Sequence, residues 1–254
     1  MTKLPALKIT GAAFGATGDI FKHIFTKAWF VLALPVLAAF FLWSSYTSEF
    51  GDGSMSRGIA VVLYIVFIIG LIPLGICWTE KVVTKQDFKF NFDARIWPSL
   101  GYSFIILVLV YLPLVLAFFI AFALVEDAAF SPALATILGV VFFFYWISLV
   151  SRFSLVIPAI AMRNPKTRLA RSWALTKGYQ AKLFCLLFFP YFIISIGESI
   201  IEHGLGSLIT SQESMLVVAL IVGLIQMYSI MFVSEIQARV FVFFHAPEKI
   251  DEYV

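Results

Sequence analysis

The stretch RFSLVIPAIAMRNPKTRLARSWALTKGYQAKLFCLL, residues 152–187, contains the unit from which the chain is built. An apolar run ends at a proline, a basic segment with a single tryptophan follows, and a second apolar run begins. Outward from here the pattern continues in both directions. The 254 residues are 61% hydrophobic and 13% charged, whereas about a quarter of a soluble globular domain is charged. Leu, Ile, Val and Phe form long runs rather than alternating or helical patterns. A hydrocarbon core of about 30 Å demands runs of about 20 apolar residues from a spanning helix. A barrel would show segments of about 10 residues with polar alternation, which these runs lack. The expectation is an all-α integral membrane protein.

Six spans are expected, at about 27–46, 59–78, 99–124, 132–157, 183–202 and 214–244, in a single membrane domain covering 1–254. The last is overlong. Residues 1–26 form a cytoplasmic amphipathic segment without the apolar core of a cleavable signal, so the first span acts as an uncleaved anchor. Residues 245–254 form a cytoplasmic tail. Lys3, Lys8, Lys22 and Lys27 precede span one, and Lys81, Lys85, Lys89 and Arg95 follow span two. Arg163, Lys166, Arg168, Arg171, Lys177 and Lys182 follow span four, while the opposite loops carry only Arg57. Basic residues stay on the side of synthesis, which puts both termini and the two longer loops in the cytoplasm.

Each basic segment precedes an odd-numbered span, and each odd span carries a proline, Pro35, Pro113 or Pro190, separated by 78 and 77 residues. An interfacial segment followed by a helical hairpin, used three times, accounts for this period; chance recurrence of proline, which is frequent in membrane helices, is the alternative. The prolines are expected to kink their helices. In the first segment Phe14, Phe21 and Phe25 share a helical face, as in a helix lying in the interface. In the second, Phe88, Phe90 and Phe92 alternate with Lys89, Asn91 and Asp93, which suits a short extended piece equally well. In the third, Asn164 caps a helix that opens at Pro165 and stops near Gly178. There Leu169 and Trp173 share a face, and Arg168 and Arg171 reach toward headgroups.

At this third segment the sequence resembles a bacterial family of six-span proteins. It includes the membrane domain attached to some glycerophosphodiester phosphodiesterases and the stand-alone YciC-like inner-membrane proteins. The resemblance rests on Arg152 late in span four, then Pro158, then Ser172, Trp173, Leu175, Thr176, Lys177 and Gly178, over about 35 residues. The family often has Asn after that glycine, where this chain has Tyr179. The resemblance implies a bacterial inner-membrane bundle near lipid metabolism. It lends no phosphodiesterase activity, because the chain lacks that soluble catalytic domain.

Charges inside spans are costly and call for a reason. Arg152 lies eleven residues before Arg163, and Glu235 ten before His245. At 1.5 Å per residue both sit roughly 15 Å from the cytoplasmic ends of their helices. Spans four and six run the same way, so an Arg152–Glu235 pair is possible, with Arg239 competing from the i+4 position. Glu235 is expected to contact at least one of these arginines. The cluster serves either as a cytoplasm-facing polar pocket or as an interhelical clamp. Glu198, Glu202 and His203 suit a water-facing helix end better than a metal site. His23 and His245 look like interfacial residues, and Gln226, Ser229 and Ser234 like helix-packing glue. Cys77 and Cys185 fall inside spans as small hydrophobes.

No phosphate-cradling loop, zinc-protease motif, nucleophile elbow or Cys-x-x-Cys occurs. GATGD at 15–19 follows no strand. The expectations are therefore no enzyme activity, no cofactor and no metal. The partners expected are anionic phospholipid at Arg163, Lys166, Arg168, Arg171, Trp173 and Lys177, or a membrane protein, and no nucleic acid. A transporter or lipid-moving protein, and an accessory subunit of a larger complex, are the other readings.

Overall fold

The computed structural model describes residues 4–47, 53–125, 151–164, 169–206 and 211–253, with 137, 140, 141, 144, 145, 148 and 149 between them. All regular structure among these residues is helical. In chain order the α-helices are Ala6–Gly15 (α1), Thr17–His23 (α2), Ala33–Thr47 (α3), Gly53–Thr84 (α4), Ile96–Val125 (α5), Val156–Ala161 (α6), Leu169–Leu175 (α7), Gln180–Gly206 (α8) and Gln212–His245 (α9). A π-helical turn Ile24–Ala28 and a 3-10 turn Trp29–Leu32 join α2 to α3, and a 3-10 turn Pro247–Glu252 follows α9.

Three segments among the described residues are long and apolar enough to cross a membrane: Thr17–Phe41, Arg57–Thr84 and Glu213–His245. That is fewer than the six spans expected. Much of the expected fourth span, 132–157, lies outside the described residues, and its end is broken at Ser154–Leu155. The first crossing segment begins ten residues earlier than expected, because the chain stays helical from Thr17 through the π and 3-10 turns.

The three segments form the centre. Val31 lies beside Gly70, and Thr17 Oγ1 is 3.1 Å from Tyr228 Oη, while Pro35 packs on Gly223. Gly75 faces Ser234, and Tyr64 accepts from Gln226 at 3.1 Å. The first rod therefore runs against α4 and α9, which run the same way. Small residues permit the approach: a Cβ on Gly75 would come within 2.9 Å of Ser234 Oγ, and one on Gly223 within 2.9 Å of Pro35 Cγ. Without a hydrophobic force between helices in lipid, such backbone proximity is what holds them.

The three segments expected to lie in the interface take three different forms. The N-terminal one packs onto the bundle, with Ile9, Ala13, Ile20 and Ile24 fully buried. Its phenylalanines lie at the edge of that contact: Phe14 rests 4.9 Å from Phe232, and Phe21 stacks 5.1 Å from Tyr228, each still partly exposed. The second, 85–93, has no regular structure, and its period of two is visible as a fully buried Phe88 followed by an exposed Lys89 and a partly buried Phe90. The third contains α7, which Gly178 terminates at φ +87°, a conformation that glycine adopts without steric cost. Asn164 is described, but Pro165, Lys166 and Arg168 lie outside the described residues.

Pro35 stands two residues inside α3, just past the 3-10 turn. Pro113 and Pro190 lie inside α5 and α8, whose helical assignment runs through them, and α4 accommodates Pro73 in the same way. A break accompanies a proline at two places, before Pro35 and before Pro158. The ring of Pro158 removes one backbone donor and crowds the carbonyl four residues back, and the helix opens at Ser154–Leu155.

Candidate functional site: polar nodes at one end of the bundle

The directions of the three rods bring Lys22 and Lys27 of the first, Lys81 at the end of α4, and Arg239 of α9 to the same end of the molecule. The N- and C-terminal segments meet there too, through Lys8 and Asp251 at 3.9 Å and Lys85 and Glu252 at 3.0 Å. Three polar nodes sit at this end, and each solves a burial problem.

Glu235 is the deepest, 2% exposed. A carboxylate so placed needs partners on both oxygens. Its Oε2 accepts from Trp78 Nε1 at 2.7 Å, and its Oε1 accepts from Arg239 Nε at 3.0 Å and from Nη2. Glu235 thus pairs with Arg239, one turn away on its own helix, and not with Arg152. The node extends sideways. Lys81 Nζ lies 4.0 Å from the Trp78 ring centroid and forms an ion pair with Asp19. Asp19 in turn receives His23, whose Nδ1 is 2.7 Å from the Asp19 carbonyl and 3.1 Å from Oδ1. His23 is not an ordinary boundary residue: it is buried, edge-on to Trp78 at 5.6 Å and to Phe88 at 5.4 Å. A cavity of about 230 Å³, lined by Trp78, Lys81, Glu235, Arg239 and Tyr253 among others, opens beside this chain of contacts.

Arg152 is held elsewhere. Its Nη1 donates to the Trp173 carbonyl at 2.8 Å, and its guanidinium lies 4.6 Å over the Trp173 ring. With its amide oxygen turned toward the arginine, Gln180 accepts from Nε and Nη2. The Arg152 carbonyl, beside the break that Pro158 imposes, accepts from Ser172 Oγ at 2.6 Å and Thr176 Oγ1 at 3.4 Å. The residues Arg152, Pro158, Ser172, Trp173, Thr176 and Gly178 are therefore one physical unit: a broken helix end whose backbone and side chain are both satisfied by the short helix that follows.

The third node is Arg95. Its Nη1 donates to Glu80 Oε2 and to the Ala161 carbonyl, both at 2.7 Å, and its Nε donates to Asp93 Oδ2 at 2.6 Å. Arg95 thus ties the end of α4, the loop before α5 and the end of α6 together. The Arg95 hydrogen bond, opposed by partial burial, holds the Asp93 carboxyl below its ordinary range. The same bond raises the Arg95 guanidinium beyond its already high value.

Of the basic residues expected to meet headgroups, Arg163, Arg171 and Lys177 are exposed, and Arg163 approaches Asp93 at 3.8 Å. Trp173 is 42% exposed and packs 5.8 Å from Phe153. Lys166 and Arg168 lie outside the described residues, as do the side chains of Glu198, Glu202 and His203. Cys77 is buried and Cys185 exposed, both as free thiols. No group of three or more metal-ligating side chains gathers among the described residues.

Sequence reasoning missed Trp78, Asp19, His23, Lys81, Gln180 and the role of Arg95. Asp19 and His23 at i, i+4 carried a local signal. The others depend on how separate helices align, which no local pattern encodes. No family model, curated protein or solved structure matches the chain. Fold and composition together define a helical membrane protein.

Proposed function

We propose that the chain is a non-enzymatic six-span protein of a bacterial inner membrane, with both termini cytoplasmic, that binds anionic phospholipid at its cytoplasmic face. It is proposed as a YciC-like protein on the strength of the Arg152–Gly178 unit. Two lengths support the further spans: α5 has 30 residues and α8 has 27, about 45 and 40 Å of helix. The contact of Arg95 with the Ala161 carbonyl supports a path that leaves this end through α5 and returns to it. The link of Arg152 to Gln180 then starts α8 from the same end, and α9 returns to it. Three out-and-back hairpins account for this path, in keeping with the period of the prolines.

The observation that carries lipid binding is the orientation of α7. Its Ser172 face is sealed onto the Arg152 backbone, while Arg171, Trp173 and Lys177 are turned outward. A basic, aromatic outer face on a helix docked between two spans suits an anionic headgroup layer. Native mass spectrometry of protein released with minimal detergent tests this. Retained anionic lipid, lost when Arg168 and Arg171 are neutralised, is the expected result; a bare monomer overturns it. A stoichiometric protein adduct instead would make the chain an accessory subunit. The cavity beside Glu235 and Arg239 favours a second reading, a lipid-moving protein with a cytoplasm-facing pocket.

A further inference from the structure

A second cavity, of about 480 Å³, opens next to the Glu235 node, between the first rod and the end of α4. That volume falls within the range of small-molecule sites, about 300–1,000 Å³. Lys22, Lys27, Lys81 and Lys85 line it, against Asp19 and Asp87. Lys81 is committed to Asp19. The other three ammonium groups retain donors. Lys22 makes no ion pair among the described residues. Lys27 donates one bond, to the Phe88 carbonyl at 2.9 Å, and an ammonium has three to give. Lys85 reaches Glu252 at 3.0 Å, with both side chains more than half exposed, a pairing of little net strength. With Asp19 taken by Lys81 and Glu252 holding Lys85 only at the surface, Asp87 is the carboxylate left in this lining against Lys22, Lys27 and Lys85, an excess of positive charge that suits an anion. A π-helical turn, Ile24–Ala28, forms this wall, and such turns are frequent at functional sites.

The same rod supplies the second half of the site. Within one turn of Lys27 on this rod, Phe25, Trp29 and Phe30 are 56%, 60% and 44% exposed. Aromatic rings so placed are the membrane-interface signature. The same rod thus carries the cleft lysines and, within one turn of Lys27, an exposed aromatic apron.

We infer that this cleft binds a phosphate ester, with Lys22, Lys27 and Lys85 as its charge partners, and that the aromatic apron selects the ester of an anionic phosphoglyceride over a soluble one. The inference rests on the anionic-lipid reading but assigns it a site apart from α7.

The test uses full-length protein in nanodiscs of phosphatidylcholine doped with phosphatidylglycerol, with retained lipid read by native mass spectrometry. Three proteins are compared with the wild type: K22Q/K27Q/K85Q, the charge-conserving K22R/K27R/K85R, and R171Q/K177Q. The cleft proposal expects one retained phosphatidylglycerol to be lost in the Gln triple, its retention falling at least tenfold, and to return in the Arg triple; R171Q/K177Q loses only the lipid held at α7 and keeps this one within twofold. Unchanged retention in the Gln triple overturns the cleft. Loss confined to R171Q/K177Q overturns the cleft and leaves the lipid reading standing, and no retention by the wild type overturns both. Glycerol 3-phosphate added to undoped nanodiscs separates the sources: binding as strong as that of the lipid would overturn selection by the apron.

Discussion

At Glu235 the chain places a carboxylate that is 2% exposed, and both oxygens are bonded, one to the Trp78 indole and one to Arg239. Removing one partner of a buried pair leaves an uncompensated charge, which costs about 3–5 kcal/mol. Arg239→Met is therefore expected to destabilise by about 3 kcal/mol in that range, while Glu235→Gln with Arg239→Met recovers most of the loss. Thermal melts in a fixed detergent read both. Arg152 has no partner in common with Glu235, so the Arg152→Gln and Glu235→Gln effects should add within about 0.5 kcal/mol. Coupling well above that would place Arg152 in the Glu235 node. Sequence reasoning isolated Glu235, Arg239 and Arg152 because an ionisable residue in an apolar run stands out. It could not separate the pairs, since depth along a helix says nothing of which face the neighbour presents. Trp78 stayed invisible for the same reason: its indole is one apolar-run residue until α9 is laid beside α4.

Asp93 and Arg95 give the loop before α5 a defined response to acid. The folded Asp93 carboxyl is held below its ordinary value, about 3.9 in the unfolded chain. Its contribution is therefore complete above that value and is lost as pH falls through the lower folded one. Hydrogen exchange across 85–95 should stay slow at pH 5 and accelerate only below about pH 4. In Asp93→Asn the acid step should vanish and exchange should be fast throughout; an unchanged profile would remove Asp93 from the lock.

At the scale of elements, the broken helix end at Ser154–Leu155 and α7 stabilise each other. Ser172 and Thr176 are buried and supply donors to the Arg152 carbonyl, which the break leaves without its regular helical partner. A buried acceptor left unsatisfied costs about 1–3 kcal/mol, so Ser172→Ala with Thr176→Ala should lower stability by that order. Proteolysis within 163–178 should quicken in parallel, and equal resistance would mean the helix is held by other contacts. The close approach of the central helices is tested by Gly75→Ala, whose Cβ would press Ser234 Oγ at 2.9 Å. Overpacking of this kind costs about 1–3 kcal/mol. Gly101→Ala, with nothing within 4 Å, should be neutral in the same melt. Element type was legible from run length alone, because a long apolar run has few stable forms besides a helix in lipid. The local form of the segments between runs was also legible: a helical face in the first, a period of two in the second, which is irregular, and a glycine stop for the third, a helix of about two turns. What each of them packs against was not, because that depends on how separate helices align.

At the scale of the whole molecule, the charge pattern and the path of the chain agree on one polar end. Lys22 and Lys27, then Lys81, Lys85 and Arg95, and then Arg239 come from three separate stretches of the chain, and the directions of the helices bring them together. Sequence and structure meet on an all-helical chain with helices long enough to cross a membrane, and differ on their number, three among the described residues against six expected. The shortfall covers the expected third, fourth and fifth spans, the fourth of which is only partly described and is cut short by the Pro158 break. The proposed parity of the path rests on the contacts of Arg95 with Ala161 and of Arg152 with Gln180.

That parity is the centre of the account, and cysteine labelling in intact cells reads it directly. Cys77 and Cys185 are first replaced by Ala, and single cysteines are then introduced at Lys89, Glu126, Lys177, Glu213 and Lys249. A membrane-impermeant maleimide should label positions 126 and 213 from outside and reach 89, 177 and 249 only after permeabilisation. Labelling of 89 and 249 from opposite sides, or of 177 from outside, would contradict the six-span path and the shared cytoplasmic end on which both lipid proposals stand.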